Sequence, residues 1–429
     1  MAIYGTLGGQ DSTSTGYPSI RPTLDLNFAQ TKTLDPRVTF YRDSLATYTD
    51  SLGIVRTVPA NVPRFDHDPT TGESLGLLIE ESRTNLLTYS EDFSNGIWTK
   101  SNTTVSINTT VSPNESLTAD AITASSGSGY KDLYQTFTSS AATNTTYTFS
   151  VFVKANGITF FTVVPYFNGV SYASWFNLST GTPLTNTSGN TSTITNYGNG
   201  WYRCTVTRTS PATLSSAIFI VRPADANGNE TYTGNGSNGF YVWGAQVEVG
   251  SFATSYIPTS ATTVTRSADV AYFDGTNFSS WFNQSEGSIY FDATIRGDGE
   301  GSNIYYGEIG EFASSNNRNI FFTTPEGSRG RYIYITSGTT VVSLTATGTT
   351  LTYNQKNNVC YGYKLNDFAV AIDNSVFTDT SGTLHQANSF TLGSNNLSPR
   401  GEYLNGTIAR IMYYPKRLTN SQLRNLTAL

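Results

Sequence analysis

The chain has 429 residues, of which 37% are hydrophobic, 13% aromatic and 13% charged, with a net charge of −6; that length allows two or three separate cores. Charge at about half the usual ~25%, replaced by Thr, Ser, Asn and Gly while aromatics stay abundant, excludes a disordered chain. It marks an all-β one, because Tyr, Phe, Thr and Val suit pleated surfaces and Gly and Asn supply turns. The acidic balance leaves no basic footprint for nucleic acid, and no run approaches the ~18 apolar residues of a membrane span, so neither nucleic-acid binding nor membrane insertion is expected.

Residues 1–30 are rich in Gly, Ser and Thr, with Pro18 and Pro22 among them. Met1 to Gly5 carries neither a basic nor an apolar leader segment, so no secretory signal is expected. The stretch reads as an extended arm whose Ile3, Tyr4, Leu7, Tyr17 and Ile20 need a partner surface. It is either frayed or docked on another subunit. From Leu24 the pattern alternates, with Leu24, Leu26 and Phe28 on one side and Asp25 and Asn27 on the other. Short strands continue to about residue 95, and the apolar run Leu75 to Ile79 is expected to enter a core.

Residues 96–250 predict a jelly-roll sandwich, with strands at roughly ten-residue spacing separated by Gly and Asn turns. Tyr147, Phe149, Val151 and Val153 share one face of a strand. Phe240 to Val249 closes the unit with Tyr241, Trp243, Ala245 and Val247 facing inward. Residues 251–270 read as a linker. Residues 271–429 predict a second sandwich: Ile289, Phe291, Ala293 and Ile295 alternate inward, Gly406 to Tyr414 is the last strand, and Thr419 with Gln422 forms a capping box for a short helix carrying Leu423 and Leu426.

Two stretches carry a resemblance. Ala60-Asn61-Val62-Pro63-Arg64-Phe65-Asp66, followed by Leu75 to Leu87 and Tyr89-Ser90-Glu91-Asp92-Phe93, resembles a module of bacteriophage virion proteins, especially of phages infecting marine bacteria. Gly200-Trp201-Tyr202-Arg203 and Trp243-Gly244-Ala245-Gln246-Val247-Glu248, with Ala253 to Pro258, look like the closing strands of carbohydrate-binding-like domains in phage structural proteins. The strand, turn and helix that end the chain resemble a concanavalin-like (laminin G-like) sandwich. The resemblance implies tandem jelly-roll and concanavalin-like sandwiches behind a virion-anchoring region at 1–95. It also implies a non-enzymatic structural role at the virion surface, as tail fibre, appendage or capsid decoration. Partners would be other virion proteins, further copies of the chain (a homotrimer, as in fibres) and host-surface polysaccharide.

The alternative is a polysaccharide depolymerase. Its two carboxylates would have to stand an even number of residues apart on one strand to reach the same sugar, whereas Glu308 and Glu311 are three apart and should point to opposite faces. Sugar binding needs an aromatic platform with an amide or carboxylate beside it; Tyr166, Asn168, Tyr172 and Trp175 supply those groups within one hairpin, though the same rings could fill a core or an intersubunit contact. Asp225, Asn227 and Asn229 alternate oxygen ligands as the start of a calcium loop does, but no glutamate closes the shell, and an ordinary hairpin turn is the preferred reading. Cys204 and Cys360 fall in different predicted units and read as separate buried thiols. With only two histidines, His67 and His385, no zinc site is expected, and no cofactor is called for.

Overall fold

The computed structural model describes residues 16–297, 303–324, 328–348, 353–397 and 401–428. Almost every element is an antiparallel strand, and the long sheets pair into two sandwiches. The all-β reading follows from the alternation: Tyr147, Phe149, Val151 and Val153 share one buried cluster, and Ile289, Phe291, Ala293 and Ile295 share another.

One sandwich is built wholly from residues 99–249. Its first sheet orders Thr182–Asn186, Ser174–Asn177, Phe160–Phe167, Ala217–Ala224, Asp132–Thr136 and Thr99–Ser101; its second orders Thr191–Asn196, Trp201–Thr209, Thr146–Asn156, Gly239–Val249, Ala119–Ala124 and Thr103–Thr110. Between them lies a core of Phe149, Phe161, Phe219 and Val242, all fully buried, with Cys204 as a free thiol.

The other sandwich is split in sequence. One sheet takes Glu286–Ile295, Lys356–Lys364, Phe368–Ile372, Ser375–Asp379 and Gly406–Tyr414 from late in the chain, and Leu24–Asn27, Phe65–His67 and Ser74–Ile79 from its beginning. Leu24 pairs with Tyr413 and Leu77 with Ile408. The facing sheet includes Thr39–Tyr41 beside Val270–Asp274. The strands Leu24–Asn27, Thr39–Tyr41, Phe65–His67 and Ser74–Ile79 are therefore part of the C-terminal sandwich, which corrects the expectation of a separate region at 1–95. Each of these strands is too short to bury its apolar face alone, and the late strands offer the missing neighbours. The run to Ile79 does enter a core: Leu77, Leu78 and Ile79 are fully buried.

The chain leaves this sandwich through Arg83–Asn85 and returns through Val264–Arg266, and these two segments pair with each other. The first sandwich is thus an insertion with adjacent entry and exit. Within 251–270, where a linker was expected, residues 254–257 are packed while 260–265 are exposed: Tyr256 and Ile257 are buried, and Ile257 N–H donates to Gln246 at 2.7 Å. Trp281 likewise packs inside the split sandwich among Phe273, Phe278, Phe390 and Tyr413. The final helix, Asn420–Thr427, has the capping box expected of Thr419 and Gln422, and Leu423 and Leu426 cover the sheet beneath.

Of the arm, Ile3, Tyr4 and Leu7 lie outside the described residues, while Tyr17 and Ile20 are exposed. Its described end runs onto the split sandwich, where Thr23 N–H donates to the Tyr413 carbonyl at 2.9 Å.

Candidate functional site

The two faces of the inserted sandwich differ in what covers them. The outer side of the sheet containing Gly239–Val249 carries Phe152, Trp201 and Trp243, and these are buried under Val55, from the hairpin Ala46–Thr49 with Val55–Val58, and under Tyr256. That face is taken up by the junction. Trp243 was expected to point into the sandwich core. Instead an extra residue near Gly244 (φ +63°) shifts the register, so Phe240 and Val242 face inward before it, Ala245 and Val247 after it, and Trp243 faces out.

The outer side of the opposite sheet carries a second apolar cluster: Val164, Ala173 and Ile220 are buried beneath half-buried Tyr134, Tyr166, Trp175 and Ile218. Register fixes its layout. Tyr166 lies beside Ile218, Val164 beside Ile220, and Thr162 beside Arg222. Trp175 pairs with Thr162 from the strand on one side, and Tyr134 with Ile220 from the strand on the other. Adjacent strands are ~4.8 Å apart and residues two along are ~6.8 Å apart. The three rings therefore spread over a patch of several sugar units, each on a strand fixed by a packed core beneath.

The polar group in this patch is Arg222. Its Nε donates to Asp132 at 2.7 Å, its Nη1 pairs with Glu230, and its guanidinium lies 4.5 Å from the Tyr130 ring centroid. Burial pushes the Glu230 carboxyl above its ordinary range, although the Arg222 guanidinium pulls the other way. The Trp175 indole N–H and Thr162 hydroxyl are buried without a hydrogen-bond partner among the described residues.

Of the four aromatic-platform candidates, two lie on this face and two do not. Tyr166 and Trp175 belong to it. Tyr172 does not: its ring packs against Phe167 of the core and is capped by the Arg208 guanidinium, 3.5 Å from its centroid. Asn168 is also withdrawn. It sits at a turn with φ +54°, its amide donates to Thr213 O at 2.6 Å, and its oxygen accepts from Ser215 N–H at 2.7 Å. Its oxygen and one amide hydrogen are spent on holding a loop. Tyr134 and Arg222 were missed because they lie on separate strands whose adjacency is not written in spacing, and Tyr130 because it precedes the Tyr134 strand; the alternation of Asp132, Tyr134 and Thr136 was the one available signal.

The calcium candidates do not converge. Asn229 donates to Asp225 at 2.5 Å, whereas Asn227 turns to Thr185 at 2.8 Å. Among the described residues no group of three or more His, Cys, Asp or Glu side chains is placed to hold a metal. Glu308 is fully buried and gripped by Arg318 through two hydrogen bonds of 2.9 and 2.6 Å, while Glu311 is exposed at the strand's end.

No family model matches the chain, and no curated protein does. Among solved structures, the chain is similar to the CBM40 of the Ruminococcus gnavus IT-sialidase bound to α2,3-sialyllactose, at 12% identity and TM-score 0.32, covering 37% of this chain and 92% of that one. The NanB sialidase of Streptococcus pneumoniae matches at 14% identity and TM-score 0.31, covering 36% of this chain and 26% of that one. The CBM22 tandem domain of Paenibacillus barcinonensis Xyn10C matches at 11% identity and TM-score 0.26, covering 78% of this chain and 97% of that one.

Proposed function

We propose that this protein is a non-enzymatic glycan-binding protein, and that the outer face carrying Tyr134, Tyr166 and Trp175 holds the saccharide. The carrying observation is the contrast between the two outer faces of one sandwich: one is closed by the junction, and the other presents three half-buried rings on neighbouring strands around a fixed Arg222. Aromatic faces take the C–H faces of sugars, and a held guanidinium with its carboxylates offers donors and acceptors to hydroxyls. The setting is a phage virion, where the chain displays this face for attachment to the host surface. Support for that setting is the resemblance of residues 60–93 and 200–258 to phage structural proteins, and the exposed arm residues Tyr17 and Ile20 give other copies or virion proteins something to cover.

Binding to an array of bacterial surface polysaccharides tests the face. Trp175→Ala is expected to weaken retention of the preferred glycan at least ~10-fold while circular dichroism stays unchanged. A wild-type protein silent against every glycan, or a Trp175→Ala protein that binds normally, removes this reading. Immunogold labelling of whole phage particles tests the setting.

A further inference from the structure

One end of the inserted sandwich holds a half-open cavity of about 270 Å³. Its walls come from the turn around Gly157, the loop leading from Asp225 to Asn238, and the pair Phe160 and Ala224. Phe160 and Ala224 are register partners, one step beyond Thr162 and Arg222. Because outward-facing residues recur every second position, Tyr166, Val164, Thr162 and Phe160 form one line along the strand. That line is ~20 Å long at ~3.3 Å per residue, and it runs from the aromatic patch into the cavity mouth.

The cavity is equipped for hydroxyl groups. The Tyr232 hydroxyl is buried and has no hydrogen-bond partner among the described residues. Burial and then the nearby Asp225 push its pKa up to about 12, so it remains a donor. Asn235 spends its oxygen on the backbone N–H groups of Ser237 and Asn238 at 3.0 and 2.9 Å, which leaves its amide NH₂ for a ligand. Asp225 has given one oxygen to Asn229 and keeps the other. The Gly157 position is closed to any side chain: φ is +83° and a Cβ would come 2.6 Å from the Asn238 amide oxygen. Donors, acceptors and one aromatic face in a space of this size suit a single pyranose. Among the described residues Asp225 is the charged group lining the wall; the neighbouring Lys131 ammonium is turned onto the Gly127, Gly129 and Tyr232 carbonyls at 2.9, 3.1 and 3.5 Å, so a carboxylated sugar would meet the Asp225 charge first.

We propose that this cavity takes the terminal unit of a neutral saccharide whose next units lie along the aromatic face. It rests on the reading of that face as a glycan site, and it adds that recognition is by chain end and excludes uronic and sialic acids at that end.

The test uses the full chain against free hexasaccharides of glucose, mannose, galactose and xylose, with oligouronates and sialylated oligosaccharides alongside. Each is also coupled to a surface through its reducing end and, separately, through its non-reducing end. The expected result is binding to a neutral member that survives one coupling and is abolished by the other. Tyr232→Phe and Asn235→Ala should each weaken it about 10-fold without changing the circular dichroism spectrum. If Trp175→Ala abolishes binding while Tyr232→Phe and Asn235→Ala leave it intact, the face stands and the cavity assignment falls. If the cavity variants matter and Trp175→Ala does not, the cavity holds a sugar but its continuation along the face, and with it the proposal as stated, falls. Equal binding through both couplings, preference for an acidic member, or no binding at millimolar concentration each overturns the proposal.

Discussion

Asp269 holds two arginines in a place that water does not reach. Its Oδ1 accepts from Arg42 at 3.1 Å, its Oδ2 pairs with Arg64, and all three side chains have zero exposure. Arg64 also reaches Glu80 at 2.8 Å, and Glu80 accepts from the Ser255 backbone at 2.8 Å and from its hydroxyl at 2.7 Å. Breaking one partner of a buried ion pair strands the rest, at ~3–5 kcal/mol. Asp269→Asn should therefore lower unfolding free energy by about that much in urea titrations; a loss under about 1 kcal/mol, the range of exposed pairs, would mean the cluster is not dry. Glu80 gives the matching pH signature. Burial pushes its carboxyl up, but Arg266, Arg64 and Arg296 together outweigh that and hold it well below the ordinary carboxylate range. A depressed folded pKa contributes stability that is complete above the unfolded value of ~4.3 and is lost as pH falls toward the folded one. The stability gap between wild type and Glu80→Gln should accordingly be widest at neutral pH and shrink below about pH 4. A gap that does not vary with pH contradicts the assignment.

At the scale of elements, the strand Gly239–Val249 shows how one residue can redirect a whole face. Between Ser150 and Phe152 on its neighbour, three steps from Gln246 to Trp243 replace two. This is a β-bulge, and it turns Trp243 from the sandwich core to the junction. Gly244 makes it possible: its φ is +63°, and a Cβ there would stand 3.0 Å from the Phe152 ring and 3.3 Å from that of Tyr256. Gly244→Ala should cost about 1–2 kcal/mol from the left-handed backbone alone, seen as a lower denaturation midpoint by tryptophan fluorescence. An unchanged midpoint would show that the bulge relaxes without strain.

For the whole molecule, the decisive feature is that one sandwich interrupts the other. The split sandwich draws strands Leu24–Asn27, Thr39–Tyr41, Phe65–His67 and Ser74–Ile79 from before the insertion and all its remaining strands from after it. Asn85 stands at the crossing, donating to Ala245 O at 3.0 Å and to Ile257 O at 2.9 Å. A fragment of residues 271–429 keeps Ile408 and Ile411 but loses Leu24, Leu26, Leu77 and Ile79, which cover them. It should fail to fold, with poor proton chemical-shift dispersion and rapid amide exchange. A well-dispersed, cooperatively unfolding fragment would show that the early strands are dispensable.

The class of structure and most of the strand faces were legible in the residues alone, because alternation with period two is written residue by residue. The capping box at Thr419, the inward set from Tyr147 to Val153 and the buried run to Ile79 were all legible for that local reason. Contact between distant segments was not. That Leu77 pairs with Ile408, that the Arg64, Glu80 and Asp269 side chains meet, and that Tyr134 and Trp175 share a surface are consequences of register between strands up to several hundred residues apart. Local propensity carries no information about which edge a strand will find. That the early strands complete the late sandwich emerges in the folded chain, because that is where their apolar faces are buried.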